Sequence, residues 1–301
     1  MVHRAGLDCA QDAVDCGIAE YDRNPQGSSI SGVAKALSIK RALTMLRPQV
    51  KQVAESLFPQ TMYARRFRTW VKVEPELPLL PAICPKEAVA VDIGANEGFF
   101  ACHLLPLVQS VVAFEPLPQM LARLRKNYSG KMIIHGVILS DREGQGELRY
   151  PSGGYMSATV AESNVSAVES GRVIESVMVN MATLDSFGLT NVGFIKIDVE
   201  GHEEAVLHGG LQTLKREMPN LMIEIEERHA PGSLGRVSVL LSDIGYAGFF
   251  LDGKQLISIE QFDPHRDQVR RNGQVGKYIN NFLFFPRERA SRILESAGRY
   301  L

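Results

Sequence analysis

Asp92 ends an apolar run and leads into Gly94-Ala95-Asn96-Glu97-Gly98, while Glu115 ends the next apolar run. Glycines at 94 and 98 let the backbone turn tightly and come close to a ligand. A carboxylate closing the second run can accept hydrogen bonds from both hydroxyls of a ribose. Mononucleotides, dinucleotides and S-adenosylmethionine (SAM) all carry that ribose. No Lys-Ser or Lys-Thr pair follows the turn, so it is not a phosphate-cradling loop, and Asn96 stands where GxGxxG requires glycine. Asp92 and Glu97 put negative charge where a pyrophosphate would sit. They suit a ligand with a positive amine and a sulfonium, as SAM has.

A second group lies in Gly193–Leu207, where Lys196 and Asp198 interrupt an apolar alternation and Glu200, Gly201 and His202 follow. Ionisable groups on an interior strand are costly unless paired or placed at its open end. Glu224 and Glu226 repeat the pattern two residues apart on another apolar run. Asp198, His202 and Glu226 are the candidates for a general base acting on a weakly acidic hydroxyl. A helix start lowers the pKa of His202, favouring the neutral form that accepts a proton. The same residues also admit structural readings: an ion pair for Lys196, and a helix-capping network around Gly201. Clustered carboxylates can also hold Mg²⁺ or another divalent cation against a diol, although no dedicated metal motif is present.

Strand–helix alternation must position these groups. Strands are expected at 89–92, 111–115, 132–139, 192–198 and 221–226, with helices at 97–105, 118–127, 202–216 and 234–244 between them. Asp92, Glu115, Asp141, Asp198 and Glu226 then all fall near strand C-terminal ends, where open α/β sheets bind ligands. Residues 173–179 alternate as an antiparallel strand. Segments 249–250 and 279–285 read as the last two strands. The sum is an α/β fold with a mostly parallel sheet and one antiparallel strand.

The chain has 301 residues, 45% apolar and 22% charged, and a formal charge of −1. That charge gives no global pull toward nucleic acid, which is not expected as a partner. The local clusters Arg65-Arg66-Phe67-Arg68 and Arg266–Arg271 read as solvated faces. Cys9, Cys16, Cys84 and Cys102 lack CxxC spacing, which points to a reducing, cytoplasmic setting. No run has the length of a membrane span. Residues 1–72 are expected to form a helical extension able to cover the main domain or support a homo-oligomer. Residues 73–86, with Pro75, Pro78, Pro81 and Pro85, are expected as an extended linker. The main domain is placed at 87–287, and residues 288–301 at a C-terminal tail.

VDIGANEGFF, VVAFEPLP, LSDREG, TLDSF, IKIDVEGHEEAVLHGG and NNFLFFP occur in this order. Together they resemble the FkbM family of class I SAM-dependent methyltransferases over residues 87–287. The resemblance implies a Rossmann-like, seven-stranded, mostly parallel sheet. It implies that Asp92, Gly94, Asn96 and Gly98 line the methionine part of SAM and that Glu115 holds the ribose. It places Ser140 and Asp141 at the adenine and Asp198 where methyl meets acceptor. O-methylation of a sugar or natural-product hydroxyl is the implied activity. Residues 153–166 are the expected specificity loop. A non-catalytic SAM- or adenosine-binding scaffold stays open as a different class. An NAD-dependent oxidoreductase fits less well, because GxGxxG is absent and the final NNFLFFP strand is present.

Overall fold

A computed structural model describes residues 74–152, 158–160, 173–271 and 274–301. The chain divides into Met1–Ser56 and Leu57–Leu301, and every described residue falls in the second unit. The expected helical extension, and with it the oligomerisation surface, lies outside the described residues. So does most of the expected specificity loop.

The first elements are a 3-10 turn, Leu77–Leu79, and α1, Leu80–Ile83. The first two βα units follow as β1 (Val89–Ile93), α2 (Phe99–Leu104), β2 (Ser110–Phe114), α3 (Pro118–Tyr128) and β3 (Ile133–His135). A small sheet comes next, with β4 (Ile138–Leu139), β5 (Gly144–Pro151) and β6 (Ile174–Ala182) in the order β4-β6-β5. The chain then returns through β7 (Val192–Ile197), α4 (Glu203–His208), α5 (Leu211–Glu217), β8 (Asn220–Glu224) and α6 (Ser233–Asp243). It ends in β9 (Tyr246–Asp252), β10 (Gln255–Ser258), α7 (Pro264–Asp267), β11 (Gln268–Arg271), β12 (Gln274–Tyr278), β13 (Asn281–Pro286) and α8 (Arg287–Ala297).

The main sheet runs β10-β9-β13-β8-β7-β1-β2-β3. From β8 to β3 all neighbours are parallel, whereas β13 is antiparallel to both β8 and β9. The seven expected strands are therefore present, and β10 adds an eighth at the edge. Strand order reverses beside β1: the chain first steps outward to β2 and β3, then resumes on the other side with β7. The crevice above β1 and β7 is the topological switch point where such sheets bind ligands.

Strand alternation sorts the core into two faces. Val91, Ile93, Ile195, Ile197, Leu221 and Ile223 pack on one side with α6 residues Val237 and Leu241. Ala90, Phe194, Met222 and Leu283 face the other side with Phe100 and Leu104 of α2.

Two expectations are corrected here. The expected linker at 73–86 is not extended over its described residues, 74–86. Leu77, Leu79, Leu80 and Ile83 are buried in the second core. Pro78 and Pro81 sit in the first turns of their helices, where a missing N–H costs no hydrogen bond. Residues 288–301 are not a tail either. Ala290, Ile293 and Ala297 of α8 are buried at helical spacing in the same core.

Two expected elements are also divided. The strand expected at 132–139 splits between β3 in the main sheet and β4 in the small one. The helix expected at 202–216 breaks into α4 and α5 at Gly209-Gly210. A Cβ on Gly209 would stand 1.9 Å from the Ser140 carbonyl oxygen, so the break lets Ser140 approach. Among the described residues no helix is long and apolar enough to cross a membrane.

Candidate active site

Asp92 sits one residue before the end of β1, with Lys196 as its register partner on β7. The Gly94 and Ala95 N–H groups donate to the Phe114 carbonyl, at 2.9 and 3.0 Å, so the turn folds back over the end of β2. Gly94 and Asn96 take positive φ values of 82° and 50°. Asn96 then aims its N–H at Glu115 Oε2, 2.7 Å away, while the Leu117 N–H donates to Oε1 at 2.8 Å. Two backbone donors thus fix the Glu115 carboxylate at the mouth of the turn. Burial pushes its pKa up to about 7, against the pull of those two amides.

Asp92 is also pushed up to about 7 by burial, with Lys196 opposing. Its Oδ2 is buried without a hydrogen-bond partner. An orphaned buried carboxylate oxygen calls for a donor or cation. The ammonium group of a methionine-type ligand meets that need, and the neighbouring glycine turn leaves the backbone open to it. Glu115 oxygens keep acceptor capacity for ribose hydroxyls beyond their two amide bonds. These residues fit SAM. Glu97, expected beside the positive ligand, instead pairs with Arg123 of α3.

Ser140 and Asp141 follow β4, held by a Ser140 N–H bond to the Ala182 carbonyl at 2.9 Å. Ser140 Oγ lies 3.2 Å from Asp141 Oδ1 and 2.9 Å from His202 Nε2. His202 is therefore engaged with the Ser140 corner, and burial lowers its pKa.

A polar row crosses the sheet on the α2 side. Asp92, Lys196, Glu224 and Asn281 stand on four adjacent strands, with Asn281 and Glu224 in register. Lys196 is fully buried, 3.8 Å from both Asp198 Oδ2 and Glu224 Oε2, and its ammonium lies 4.9 Å from the Phe100 ring centroid. Burial alone would lower its pKa, but Asp198, Glu224, Glu74 and Asp92 outweigh that and raise it. The Asn281 amide donates to Glu74 Oε2 at 2.9 Å, which brings the segment before α1 into the site. The Asn280 amide holds Glu224 Oε1 at 2.7 Å.

The turn after β7 packs against the turn after β1. The Asp198 N–H donates to the Ile93 carbonyl at 2.9 Å. Glu200 adopts a positive φ of 54°, and Gly201 donates its N–H to Glu203 Oε1 at 2.8 Å. The expected capping network around Gly201 is thus made by Glu203, not by Asp198. Glu226 lies beyond β8, bonded by Arg228 and by the Tyr278 hydroxyl. Burial raises its pKa, but these two partners outweigh burial and hold it low. Glu224 and Glu226 therefore do not act on one target: the first joins the lysine row, the second an Arg–Tyr clamp. Next to that clamp is a pocket of about 430 Å³ lined by Glu227, Arg228, His265, Gln268, Tyr278 and two prolines.

Sequence reasoning missed Glu74, Asn281, Tyr278 and His229. Glu74 and Asn281 carry no motif of their own. His229 follows EIEER at a strand end, which was the available signal. Its Nδ1 lies 3.0 Å from Glu200 Oε2. Among the described residues no group of three or more His, Cys, Asp and Glu side chains is arranged to hold a metal ion.

The chain is 24% identical over 229 residues to the AMB antimetabolite synthetase AmbE of Pseudomonas aeruginosa, covering 64% of this chain and 11% of that protein. It is 30% identical over 147 residues to the 2-O-methyltransferase NoeI of Sinorhizobium fredii, covering 43% and 60%. It is 28% identical over 190 residues to the 31-O-demethyl-FK506 methyltransferase FkbM of Streptomyces tacrolimicus, covering 52% and 72%. The chain thus spans less than two thirds of AmbE and of NoeI. A crystal structure of methyltransferase FkbM from Methylobacillus flagellatus aligns with a TM-score of 0.43 at 17% identity, over 66% of this chain and 44% of that one. The profile of the methyltransferase FkbM domain matches residues 92–273, which hold the glycine turn, Glu115, the β7 turn and the β8 end. The chain belongs to the FkbM family of SAM-dependent methyltransferases.

Proposed function

We propose that this chain transfers the methyl group of SAM to a hydroxyl oxygen of a sugar or other natural-product acceptor. The observation that carries the reading is the buried Glu115 carboxylate, fixed by Asn96 and Leu117 beside the Gly94 turn and the orphaned Asp92 oxygen. Family membership supports the reaction class. NoeI, a 2-O-methyltransferase, and the Streptomyces 31-O-demethyl-FK506 methyltransferase, both named for methylation at oxygen, support the acceptor class.

SAM, when bound, supplies a methyl group activated by a sulfonium. In this reading Asp92, Gly94, Asn96 and Gly98 hold the methionine end, and Glu115 accepts from the ribose hydroxyls. Ser140 and Asp141, braced by His202, flank the adenine. Asp198, at the end of β7 beside the Gly94 turn, orients the acceptor hydroxyl. The pocket beside Arg228 and Tyr278 takes part of the acceptor, and at about 430 Å³ it suits a ring-sized group. Alignment of the two reactants accounts for a large part of the rate. A divalent cation is not needed for these roles. A non-catalytic SAM-binding scaffold draws no support from any residue of the site. A cytoplasmic setting belongs to the proposal, supported by the free thiols Cys84 and Cys102.

Methyl-labelled SAM offered with a panel of methyl glycosides and hydroxylated macrolides tests the reading. Label is expected in a new methyl ether. A protein that binds SAM yet labels no oxygen acceptor, or labels nitrogen instead, would overturn it.

A further inference from the structure

We propose that the pocket beside Arg228 and Tyr278 takes a neutral ring of the acceptor, laid against the Tyr278 side chain, and selects against an acidic one. This deepens the reading above and rests on it. Three segments build the pocket beyond the C-terminal end of β8. They are the turn after β8 with Glu227, Arg228 and Pro231, α7 with Pro264, and the β11–β12 hairpin with Gln268 and Tyr278. Asp198 follows β7, the parallel neighbour of β8, at the same end of the sheet.

Gln268 and Tyr278 are register partners at the base of the hairpin. The Gln268 side chain fastens that base to the main sheet. Its amide donates to the Ile225 and Ile279 carbonyls at 2.6 and 2.9 Å, and its oxygen accepts from the Glu227 N–H at 3.0 Å. The Tyr278 hydroxyl bonds Glu226. Bonds within the protein therefore hold the pocket in shape before anything enters it.

Those bonds also commit the polar groups of the wall. Glu227 turns its carboxylate to the Gly232 and Leu234 N–H groups at the start of α6. Arg228 donates from Nε to Glu226, whose side chain is only 5% exposed. The lining is mostly apolar, and the rings of Tyr278, Pro231 and Pro264 belong to it.

Charge points the same way. Glu226 already matches the Arg228 guanidinium, and Glu227 adds a second carboxylate to this wall. An acidic acceptor group would face both carboxylates, with Arg228 paired and His265 exposed as the basic side chains of the lining. A sugar or carbocyclic ring carries no charge and has a face of C–H groups. It can lie on an aromatic ring without displacing any of these bonds. Tyr278 is then a specificity-determining residue through its ring, and Glu226 positions that ring through the hydroxyl.

The test uses the full chain saturated with S-adenosylhomocysteine, with methyl pyranosides and the matching methyl uronates as probes near pH 8. With labelled tyrosine in the wild type, isotope-filtered NOE spectra should show contacts from pyranoside C–H protons to one tyrosine ring. Y278F should remove that ring's signals. The uronate should bind at least about tenfold more weakly than the neutral glycoside. Y278L should weaken pyranoside binding at least about tenfold, and in transfer from SAM should raise KM more than it lowers kcat. Y278F, which keeps a ring, should lose less than Y278L. Equal binding of the uronate, no contact to Tyr278, a Y278L loss no larger than that of Y278F, or failure of every neutral ring to bind would overturn the proposal. If the rings bind as expected but take no label from SAM, the methyl-transfer reading falls and the ring preference of the pocket stands. The NOE contacts and the uronate comparison are made on the wild type, so they decide without needing Y278L to fold.

Discussion

The Asp198 carbonyl oxygen lies 1.8 Å from where a β-carbon on Gly94 would stand. The cofactor turn after β1 and the turn after β7 are therefore packed backbone against backbone. Only glycine permits that approach at a φ of 82°.

G94A should accordingly separate the two turns. The left-handed φ alone costs of order 1–3 kcal/mol, before the clash is counted. A lower melting temperature and a SAM affinity weakened at least about tenfold are expected. Thermal melts with and without S-adenosylhomocysteine check this. Wild-type affinity in a folded G94A protein would mean that the turn does not touch the ligand.

E115A removes the carboxylate to which Asn96 and Leu117 donate. Hydrogen bonds to charged groups contribute roughly 1.5–3 kcal/mol, so SAM should bind roughly ten- to hundredfold more weakly. Calorimetry measures it. An unchanged dissociation constant in folded E115A would place the ribose elsewhere.

SAM binding should depend on pH. Burial pushes both Asp92 and Glu115 up to about 7. Below that value each carboxyl holds a proton that binding a cation or accepting from hydroxyls must expel. Affinity should climb by up to about a hundredfold between roughly pH 6 and 8, with proton release at the acid end. For the ligand-free fold the sign is opposite. Raised carboxyl values in the folded state give stability that is present below the unfolded value and lost as pH rises through about 7. Calorimetry in buffers of different ionisation enthalpy tests the binding claim, and a flat affinity profile would contradict it.

K196M should be severely destabilising. The substitution leaves Asp92, Asp198, Glu74 and Glu224 facing one another without the cation that all four surround. Breaking a buried pair in this way costs about 3–5 kcal/mol. Chemical denaturation with and without S-adenosylhomocysteine measures the loss, and a change below about 1 kcal/mol would show that the row is not a charge network.

Much of this site was legible because period-two alternation and strand-end acids speak directly. Asp92, Glu115, Ser140, Asp141 and Asp198 all lie at the C-terminal ends of strands, as their places after apolar runs indicate. What escaped depends on contacts distant in sequence. Glu74 reaches Asn281 across 207 residues. The proline rule misread 73–86 because Pro78 and Pro81 occupy helix first turns, where proline is tolerated. Two-residue spacing put Glu224 and Glu226 on one side of a single strand. The strand ends between them, so the two carboxylates find different partners. His229 drew no notice because no spacing links it to Glu200.

Calorimetric titration of the full chain with S-adenosylhomocysteine, SAM and NAD near pH 8 tests the central claim most directly. Micromolar binding of the two adenosyl thioether and sulfonium ligands, about −8 kcal/mol, is predicted, with no heat from NAD. Absence of binding by either SAM or S-adenosylhomocysteine at roughly millimolar concentration would contradict the account.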